Sequence, residues 1–342
     1  MKKRILFAIM VCLIVVEHVQ AQNKLVATLK HGGSTSFFYG SSAIQLAHDA
    51  AESGDTITLS AGIFDDVTIS KPITIRGAGM RNDLIEKFPP TYIQNLSFDK
   101  DAKDVQFEGI NFKKQIDLEK CKNIHDITFT RCVFLSLIPG ENSIFTFLNS
   151  IITEQITVKY SNINLNAINS IIMYIEVSDK SSVLTAENCL IGYMSGNLGY
   201  SSFKNSILFP RHNQFWPIDD TANCSNCLGI NQFFEENSNI FINISDNDNL
   251  TIYSFDVFKT LRCVPEPITW YSVPEYSETE NFELTDEAAT QYLGDDGTQI
   301  GIYGGKFPFT TKLSYPQFTK ANVAKEAIDG KLSVNIELNG GN

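Results

Sequence analysis

The residues best suited to chemistry in this 342-residue chain are cysteines and paired carboxylates. Cys224 and Cys227 are separated by two residues, a spacing used by metal-binding and redox pairs. No second such pair and no neighbouring pair of histidines completes a four-ligand set. The sequence therefore favours a local disulfide or unreactive thiols at this pair, and it predicts no metal site. The disulfide pairing is left open for all six cysteines beyond residue 21, which are Cys121, Cys132, Cys189, Cys224, Cys227 and Cys263.

Three acidic doublets are candidate acids and bases, because a glycoside hydrolase needs carboxyl groups on both sides of the scissile bond. They are Asp65–Asp66, Asp219–Asp220 and Asp295–Asp296. The first doublet lies between two short strand-like runs, and the third is followed by Gly297, as in many turns. Polar turns are the favoured interpretation of these doublets, so the catalytic residues stay unknown.

Bases for a β-eliminating lyase would be Lys or Arg, and the candidates are Lys113, Lys114, Lys159, Arg211 and Arg262. Ca²⁺ can acidify the proton that such a lyase removes, so it is the one cofactor that a lyase activity would add. Asp246–Asn249 offers closely spaced oxygen ligands, but Leu250 replaces the next ligand and no Gly follows. A polar turn is therefore favoured there. His125 and His212 have no evident partner in the sequence and are interpreted as structural or exposed.

A short repeat indicates the elements that must position any site. Its template is apolar–x–Asn–Ser/Cys–apolar–apolar, and successive copies start 17 to 22 residues apart. This drift is typical of solenoid coils whose strands stay aligned while their loops vary in length. The copies are Phe107–Phe112 (a loose one), Phe129–Phe134, Phe147–Ile152, Ala167–Ile172, Ala186–Ile191 and Phe203–Leu208.

The Asn of the repeat predicts a bend, because Asn tolerates left-handed backbone better than other residues with a side chain. We expect an apolar residue on each side of the Asn to point inwards and stack on its counterpart in the next coil, and the Asn amides to bond to one another between coils. Cys132 and Cys189 occupy the small-residue position and are predicted to be buried packing residues. The Asn position forms a column along the solenoid, and a structural role at the bends is favoured for it over catalysis or metal binding. The column consists of Asn149, Asn169, Asn188 and Asn205, with Arg131 as the exception.

The first 21 residues are predicted to be a signal peptide. Lys2, Lys3 and Arg4 precede the apolar run Ile5–Val16, and small residues at Val19–Ala21 mark a cleavage site after Ala21. Twelve apolar residues fall short of the roughly 20 that span a membrane. The mature protein is therefore expected in the periplasm, on the cell surface or outside the cell, without a membrane span.

Three regions are predicted after the leader: an N-terminal cap over 22–54, coils over 55–255 and a closing segment over 256–342. The cap contains an amphipathic helix over 41–53, which begins at Ser41 or Ser42. The apolar side of this helix is predicted to consist of Ile44, Leu46, Ala47 and Ala50. The closing segment is expected to hold a short helix over 285–293 and a final strand over 331–338 that packs against the solenoid.

The composition supports a folded protein and limits its partners. Hydrophobic residues make up 43% and charged residues 19%, which argues against global disorder. The net charge is −12 and becomes about −14 without the leader, whereas nucleic-acid binding needs clustered Lys and Arg. An anionic polysaccharide would need a local basic patch. The oligomeric state is not specified.

Gly54–Gly79 (GDTITLSAGIFDDVTISKPITIRGAG) resembles the opening coil of the pectin-lyase-like superfamily, and the Asn-containing coils to Leu208 resemble its repeat. Phe282–Leu293 and Asp296–Gly305 resemble the closing segment of secreted β-helix proteins of Bacteroides type. The resemblance implies an all-β fold, a single-stranded right-handed parallel β-helix with a short capping helix and an irregular C-terminal segment. The superfamily includes lyases and hydrolases, but no acidic doublet has the Asn-Thr-Asp or Gly-His-Gly context of polygalacturonase-type members.

Two functions follow from these patterns. The favoured one is a secreted or cell-surface β-helix protein that has no evident catalytic motif and binds a glycan or another extracellular partner. The alternative is a polysaccharide lyase or glycoside hydrolase with a site dispersed over several coils. A face of Thr, Asn and Tyr would indicate binding, whereas a basic side chain that meets two carboxylates on adjacent coils would indicate an enzyme.

Overall fold

The structure is a computed structural model. It describes residues 25–80, 89–100, 102–209, 222–230, 249–252, 254–260, 276 and 282–314, together with the backbone of 317–323 and 334–339. Several predictions fall outside these residues: the signal peptide over 1–21, Arg211, His212, Asp219–Asp220, residues 246–248, Arg262 and Cys263.

The described chain is nearly all β and contains two short helices. The elements as far as residue 117 are β1 (Val26–His31), β2 (Ser34–Tyr39), α1 (Ala43–Ala50), β3 (Thr56–Leu59), β4 (Gly62–Phe64), β5 (Val67–Ile69), β6 (Thr74–Arg76), β7 (Thr91–Ile93), β8 (Leu96–Phe98), β9 (Lys103–Glu108), β10 (Ile110–Phe112) and β11 (Ile116–Asp117). The remaining elements are β12 (His125–Thr130), β13 (Val133–Ile138), β14 (Ile144–Leu148), β15 (Ile151–Val158), β16 (Asn164–Ile168), β17 (Ile171–Val177), β18 (Val183–Glu187), β19 (Leu190–Gly196), β20 (Ser202–Lys204), β21 (Ile207–Leu208), β22 (Asn223–Ser225), β23 (Leu228–Ile230), β24 (Leu250–Ile252), α2 (Asp286–Gln291), β25 (Gln317–Val323) and β26 (Val334–Asn339).

Two long sheets form the walls of a parallel β-solenoid of about 8 turns, which confirms the predicted fold class. Sheet A runs β2-β1-β3-β6-β9-β12-β14-β16-β18-β20-β22, and its strands are parallel from β3 onwards. Sheet B runs β4-β7-β10-β13-β15-β17-β19-β21-β23-β24. Strands β5 and β8 form a short third pair, and β11 joins β13.

The core between the sheets is built from stacked phenylalanines. From sheet A, the rings of Phe107, Phe129 and Phe147 stack with centroids 5.1 and 5.8 Å apart. From sheet B, the rings of Phe112 and Phe134 stack at 5.0 Å, and Phe134 meets Phe129 edge to face at 4.5 Å. Both geometries are favourable for aromatic pairs, and the stacking explains why Phe recurs in the repeat.

The predicted bends are present where the chain passes from sheet A to sheet B. The residue at each bend has left-handed backbone, with φ from +46° at Asn169 to +51° at Arg131 and Asn188. The next residue is Ser or Cys and points inwards, and where it is Ser its hydroxyl links neighbouring coils. For example, Ser150 Oγ accepts from the Cys132 amide at 3.2 Å and lies 3.0 Å from the Phe129 carbonyl oxygen, to which it donates.

As predicted, an apolar residue on each side of the bend points inwards, for example Phe129 and Phe134. The first apolar residue after each Ser or Cys behaves differently. These residues point outwards and form a second core with the C-terminal region. Their column comprises Val133, Ile151, Ile171, Leu190, Ile207 and Leu228. Ile300 and Ile302 cover part of it, so the doubled apolar residues serve two cores on opposite sides of one sheet.

The N-terminal end of the solenoid is closed by the β1–β2 hairpin and helix α1. The hairpin continues sheet A with antiparallel pairing. Helix α1 spans Ala43–Ala50, which is shorter than predicted, and Ser42 stands at its N-cap without a side-chain cap bond. Leu46 is 49% exposed and His48 is buried, so the predicted apolar side was partly wrong.

The buried imidazole of His48 fits because the Ser70 amide donates to its Nε2 at 3.1 Å. Burial also lowers the pKa of His48, which favours the neutral ring. Lys71 Nζ donates to the carbonyl oxygens of His48, Asp49 and Ala51 at 3.0, 2.8 and 2.8 Å. This side chain therefore satisfies the carbonyl groups that the end of α1 leaves open.

The C-terminal region begins with the predicted short helix, which is α2, and Thr285 Oγ1 accepts from the Ala288 amide at its N-terminus. Residues 294–314 then run along the bends of the solenoid, and we call them the strap. The predicted final strand is present as β26 and pairs antiparallel with β25. Within the described residues no helix has both the length and the apolar character needed to cross a membrane.

Candidate functional site

The outer face of sheet A carries a straight column of uncharged polar side chains. Strand pairing places nine of them in register, one from each parallel strand. At about 4.8 Å between strands, the column is roughly 38 Å long. We call it the polar column, and it comprises Thr56, Thr74, Gln106, Thr128, Thr146, Asn166, Thr185, Ser202 and Asn223.

The polar column arises from strand alternation. In β14, for example, Phe145 and Phe147 point into the core, so Thr146 between them must face outwards. All nine side chains are half-buried or exposed. They offer hydroxyl and amide groups, which both donate and accept hydrogen bonds. The column therefore presents the same kind of contact at each step along the solenoid.

An aromatic pair extends this face at the N-terminal end of the solenoid. Phe37 pairs with Thr28 of β1, and Thr28 pairs with Thr58 of β3 on the same outer side. Phe37 is 58% exposed and Tyr39 is 60% exposed. Exposed aromatic faces beside hydroxyl groups are suited to the apolar and polar sides of a sugar ring.

Sheet B has a smaller polar cluster whose members bond mainly to one another. The rings of Tyr174 and Tyr193 stack with centroids 4.9 Å apart, and Tyr174 Oη lies 2.7 Å from Ser195 Oγ. Gln155 Nε2 donates to Glu176 Oε2 at 3.1 Å. Because these groups satisfy each other, sheet B is less suited than the polar column to bind a long ligand.

The Asn residues of the bends bind the strap. Asn169 Nδ2 donates to the carbonyl oxygens of Ile302 and Gly304, both at 2.8 Å. Asn149 Oδ1 accepts from the Thr310 amide at 2.6 Å. The expectation that these amides bond to each other was wrong, because the strap supplies backbone partners that compete with a neighbouring Asn.

Close contact with the strap also restricts its residues. Gly305 lies against Asn188, and a Cβ at Gly305 would come within 2.1 Å of Asn188 Nδ2. At 2.1 Å the two atoms would overlap, and φ at Gly305 is +72°, so glycine is required here. The column of bends is therefore covered, and the structure gives it the role of a docking surface for the strap.

An Asn ladder does form at a different bend, one that the repeat did not reveal. Asn123, Asn142 and Asn162 precede strands of sheet A and have φ between +56° and +60°. Asn162 Nδ2 donates to Asn142 Oδ1 at 3.0 Å, and Asn142 Nδ2 donates to Asn123 Oδ1 at 3.4 Å. Their spacing of about one coil was the available sequence signal.

Arg131, the exception in the predicted Asn column, belongs to an ionic link to the end of the strap. Its Nη1 lies 3.0 Å from Glu108 Oε1. The same oxygen accepts from Ser314 Oγ at 2.6 Å and from the Ser314 amide at 3.0 Å. Glu108 is buried, so these contacts use the carboxylate for anchoring and leave it poorly placed to act on a ligand.

Two lysines of the described chain each meet two carboxylates, which is the arrangement expected of an enzyme. Lys259 Nζ lies 2.6 Å from Glu283 Oε1 and 3.0 Å from Asp286 Oδ1, all beyond residue 255. Lys204 Nζ lies 2.8 Å from Asp295 Oδ2 and 4.0 Å from Glu187 Oε1. The hydrogen bond between Lys204 and Asp295 raises the pKa of Lys204 and lowers the pKa of Asp295. A general base would need a lowered lysine pKa and a general acid would need a raised carboxyl pKa. Asp295 also accepts from Asn205 Nδ2 at 2.9 Å, so this group attaches the strap.

The other predicted candidates within the described chain are dispersed. Asp65 Oδ2 accepts from Ser41 Oγ at 2.6 Å, which ties the first coil to the cap. Lys113 Nζ lies 4.0 Å from the centroid of the Tyr92 ring. Lys159 pairs with Glu119 at 2.7 Å. The remaining described candidates are exposed or half-buried: Asp66, Lys114, His125, Asn249 and Asp296.

The five described cysteines are free thiols. Cys132 and Cys189 are buried in the core as predicted, and burial raises the pKa of each to about 12. Cys224 and Cys227 are also buried; a hydrogen bond between them, together with burial, raises the pKa of Cys224. The free thiols at this pair agree with the alternative of unreactive thiols. No group of three or more metal-binding side chains occurs among the described residues.

Comparison with known proteins adds no relative. No family model matches the chain, and no curated protein or solved structure matches it. The parallel β-solenoid is therefore established from the geometry of the chain itself.

Proposed function

We propose that this chain is a secreted or cell-surface protein that binds an extended, weakly charged polysaccharide along the polar column. The observation that carries the proposal is the register of nine uncharged hydrogen-bonding side chains on one outer face. Repeated hydroxyl groups on a sugar polymer would meet repeated hydroxyl and amide groups on the protein. The predicted signal peptide supports export, and the net charge of −12 disfavours a polyanion.

The chemistry of the polar column supports binding over catalysis. Ser, Thr, Asn and Gln do not titrate near neutral pH, so they provide hydrogen bonds but no general acid or base. Lys204 and Lys259 each meet two carboxylates, and hydrogen bonds to those carboxylates raise the pKa of both lysines, which runs against a role as a general base.

The evolutionary part of the proposal rests on sequence resemblance. Gly54–Gly79 and the Asn-containing coils support membership of the pectin-lyase-like superfamily with its right-handed helix. The segments Phe282–Leu293 and Asp296–Gly305 support a relationship to secreted β-helix proteins of Bacteroides type.

Binding is tested by titrating the purified protein with neutral polysaccharides and, in parallel, with polygalacturonate. The double variant Gln106→Ala/Asn166→Ala removes two amides from the polar column. Each hydrogen bond contributes about 0.5–1 kcal/mol, so affinity should fall roughly 5- to 30-fold. Gln155→Ala removes an amide from sheet B instead and should leave affinity unchanged.

Two outcomes would contradict the proposal. Equal affinity of the double variant and the parent protein would place binding elsewhere. Release of reducing or unsaturated sugars that depends on protein concentration would favour the lyase or hydrolase alternative. The same samples serve both readouts, so binding and turnover are compared on one preparation.

A further inference from the structure

Strand β2 leaves one edge of sheet A open. It pairs with β1 on one side, and no other described strand pairs with it. Helix α1 packs beneath the hairpin, while five of the six residues of β2 are exposed. Such an edge is a template for another strand.

The hydrogen-bonding groups of this edge can be assigned from the pairing with β1. The Gly40 amide donates to the Leu25 carbonyl oxygen at 2.9 Å, at the end of the β1–β2 register. Because hydrogen-bonded and non-hydrogen-bonded pairs alternate, Ser34, Ser36 and Phe38 bond to β1. The backbone N–H and C=O groups of Thr35, Phe37 and Tyr39 therefore point to the open edge.

The edge lacks the features that usually prevent strand pairing. Its sequence, Ser34–Tyr39 (STSFFY), contains no charge and no proline, and its register with β1 has no bulge. The chain has a net charge of −12, so two copies repel each other over most of their surfaces. An uncharged strand with Phe37 and Tyr39 exposed is a place where two copies can approach without that repulsion.

We propose that β2 pairs with β2 of a second copy of this chain, antiparallel and about a two-fold axis at Phe37. In this register Phe37 faces Phe37 of the partner subunit, and Thr35 faces Tyr39 of the partner subunit. Every backbone group that points to the open edge then has a partner. The contact is isologous and closes on itself, so it gives a dimer and not a fibre.

The dimer has a consequence that rests on the proposed function. A two-fold axis perpendicular to the sheet keeps both outer faces of sheet A on the same side. The two polar columns then run parallel along one continuous face, offset by four residues or about 14 Å along the strands, with the exposed aromatic pairs between them. One polymer chain would contact both columns, and the second contact would be intramolecular, which strengthens binding without any new type of contact.

The dimer is tested by light scattering after size exclusion, at protein concentrations up to about 100-fold apart. The parent protein should show twice the chain mass at the higher concentrations. Phe37→Lys places a charge at the two-fold axis and should give the monomer mass. Tyr200→Lys is the matched control, because Tyr200 is 73% exposed and lies in a distant turn; it should remain dimeric.

Cross-linking tests the register. Residues in a hydrogen-bonded antiparallel pair have Cα atoms about 5.5 Å apart, within the range that a disulfide bridges. Phe37→Cys should therefore give a covalent dimer on mild oxidation, whereas Tyr39→Cys, which faces Thr35 of the partner subunit, should not. A monomeric parent protein, or a dimer insensitive to Phe37→Lys, would overturn the proposal. A monomeric parent protein that binds polysaccharide would overturn the dimer and leave the proposed function intact.

Discussion

Replacing Asn169 with glycine removes the central hydrogen bonds between solenoid and strap while keeping the bend. Asn169 is buried, has φ of +46° and donates to the Ile302 and Gly304 carbonyl oxygens. Glycine adopts positive φ without steric cost, so the backbone conformation is preserved. The variant Asn169→Gly therefore isolates the side-chain contacts to the strap.

The expected cost follows from the partners that remain. In the variant the Ile302 carbonyl oxygen still accepts a hydrogen bond from the Phe309 amide at 2.7 Å. The Gly304 carbonyl oxygen is therefore the less well satisfied of the two acceptors. Two lost hydrogen bonds and one poorly satisfied carbonyl group cost about 3 kcal/mol. Asn169 Oδ1 is buried and has no hydrogen-bond partner among the described residues, so removing it stabilises the folded state by about 1 kcal/mol. The free energy of unfolding should therefore fall by about 2 kcal/mol.

Urea unfolding measures the loss, and amide hydrogen exchange locates it. If the strap opens locally, amides over 294–314 should exchange up to about 30-fold faster, while core amides of sheet A stay protected. Asn162→Gly is the matched control, since Asn162 has φ of +56° and an exposed side chain that donates to Asn142. Its unfolding free energy should change by less than about 1 kcal/mol. A loss below about 0.5 kcal/mol for Asn169→Gly, with strap exchange unchanged, would refute this reasoning.

Three further predictions concern the core and the cap. Ser170→Ala should cost about 1–3 kcal/mol in urea unfolding, because the Ser150 amide loses its acceptor, whereas Ser170→Cys should cost less since Cys132 and Cys189 occupy the same column. Burial lowers the pKa of His48, so its stabilising effect is complete above the unfolded pKa of about 6.5 and is lost as the pH falls below it. Unfolding free energies at pH 5.5 and 7.5 should therefore differ more for the parent protein than for His48→Gln; an equal difference would contradict the buried neutral ring. A thiol reagent at pH 8 should leave Cys132 and Cys189 unlabelled in the folded protein, as peptide mass spectrometry measures, and label both after denaturation.

The fold was predictable from sequence because each repeat position meets a local physical requirement. Asn169 and its equivalents stand where the backbone needs positive φ, and the small residue after each must fit inside a tight bend. Phe129 and its equivalents recur because inward positions of successive coils stack directly on one another. These requirements repeat coil by coil, so they leave a pattern in the sequence.

The contacts of the strap with the bends could not be predicted, because they join residues 90 to 206 positions apart. Asn149 and Phe307, for example, are 158 residues apart. Ile171 points outwards against the strap that covers it. From sequence alone, an apolar residue in a strand gives no sign of which face of the sheet it lies on. The polar column was missed for a different reason: Thr146 and Asn166 are ordinary alternating strand residues, and only their alignment across coils distinguishes them.

The most direct test of the proposed function is a calorimetric titration with neutral oligosaccharides of increasing length. Binding along the polar column predicts that affinity rises with length at least until the ligand spans the roughly 38 Å of one column. The double variant Gln106→Ala/Asn166→Ala should weaken long oligosaccharides most. Affinity that is independent of length, or equal for the variant and the parent protein, would contradict binding along this face.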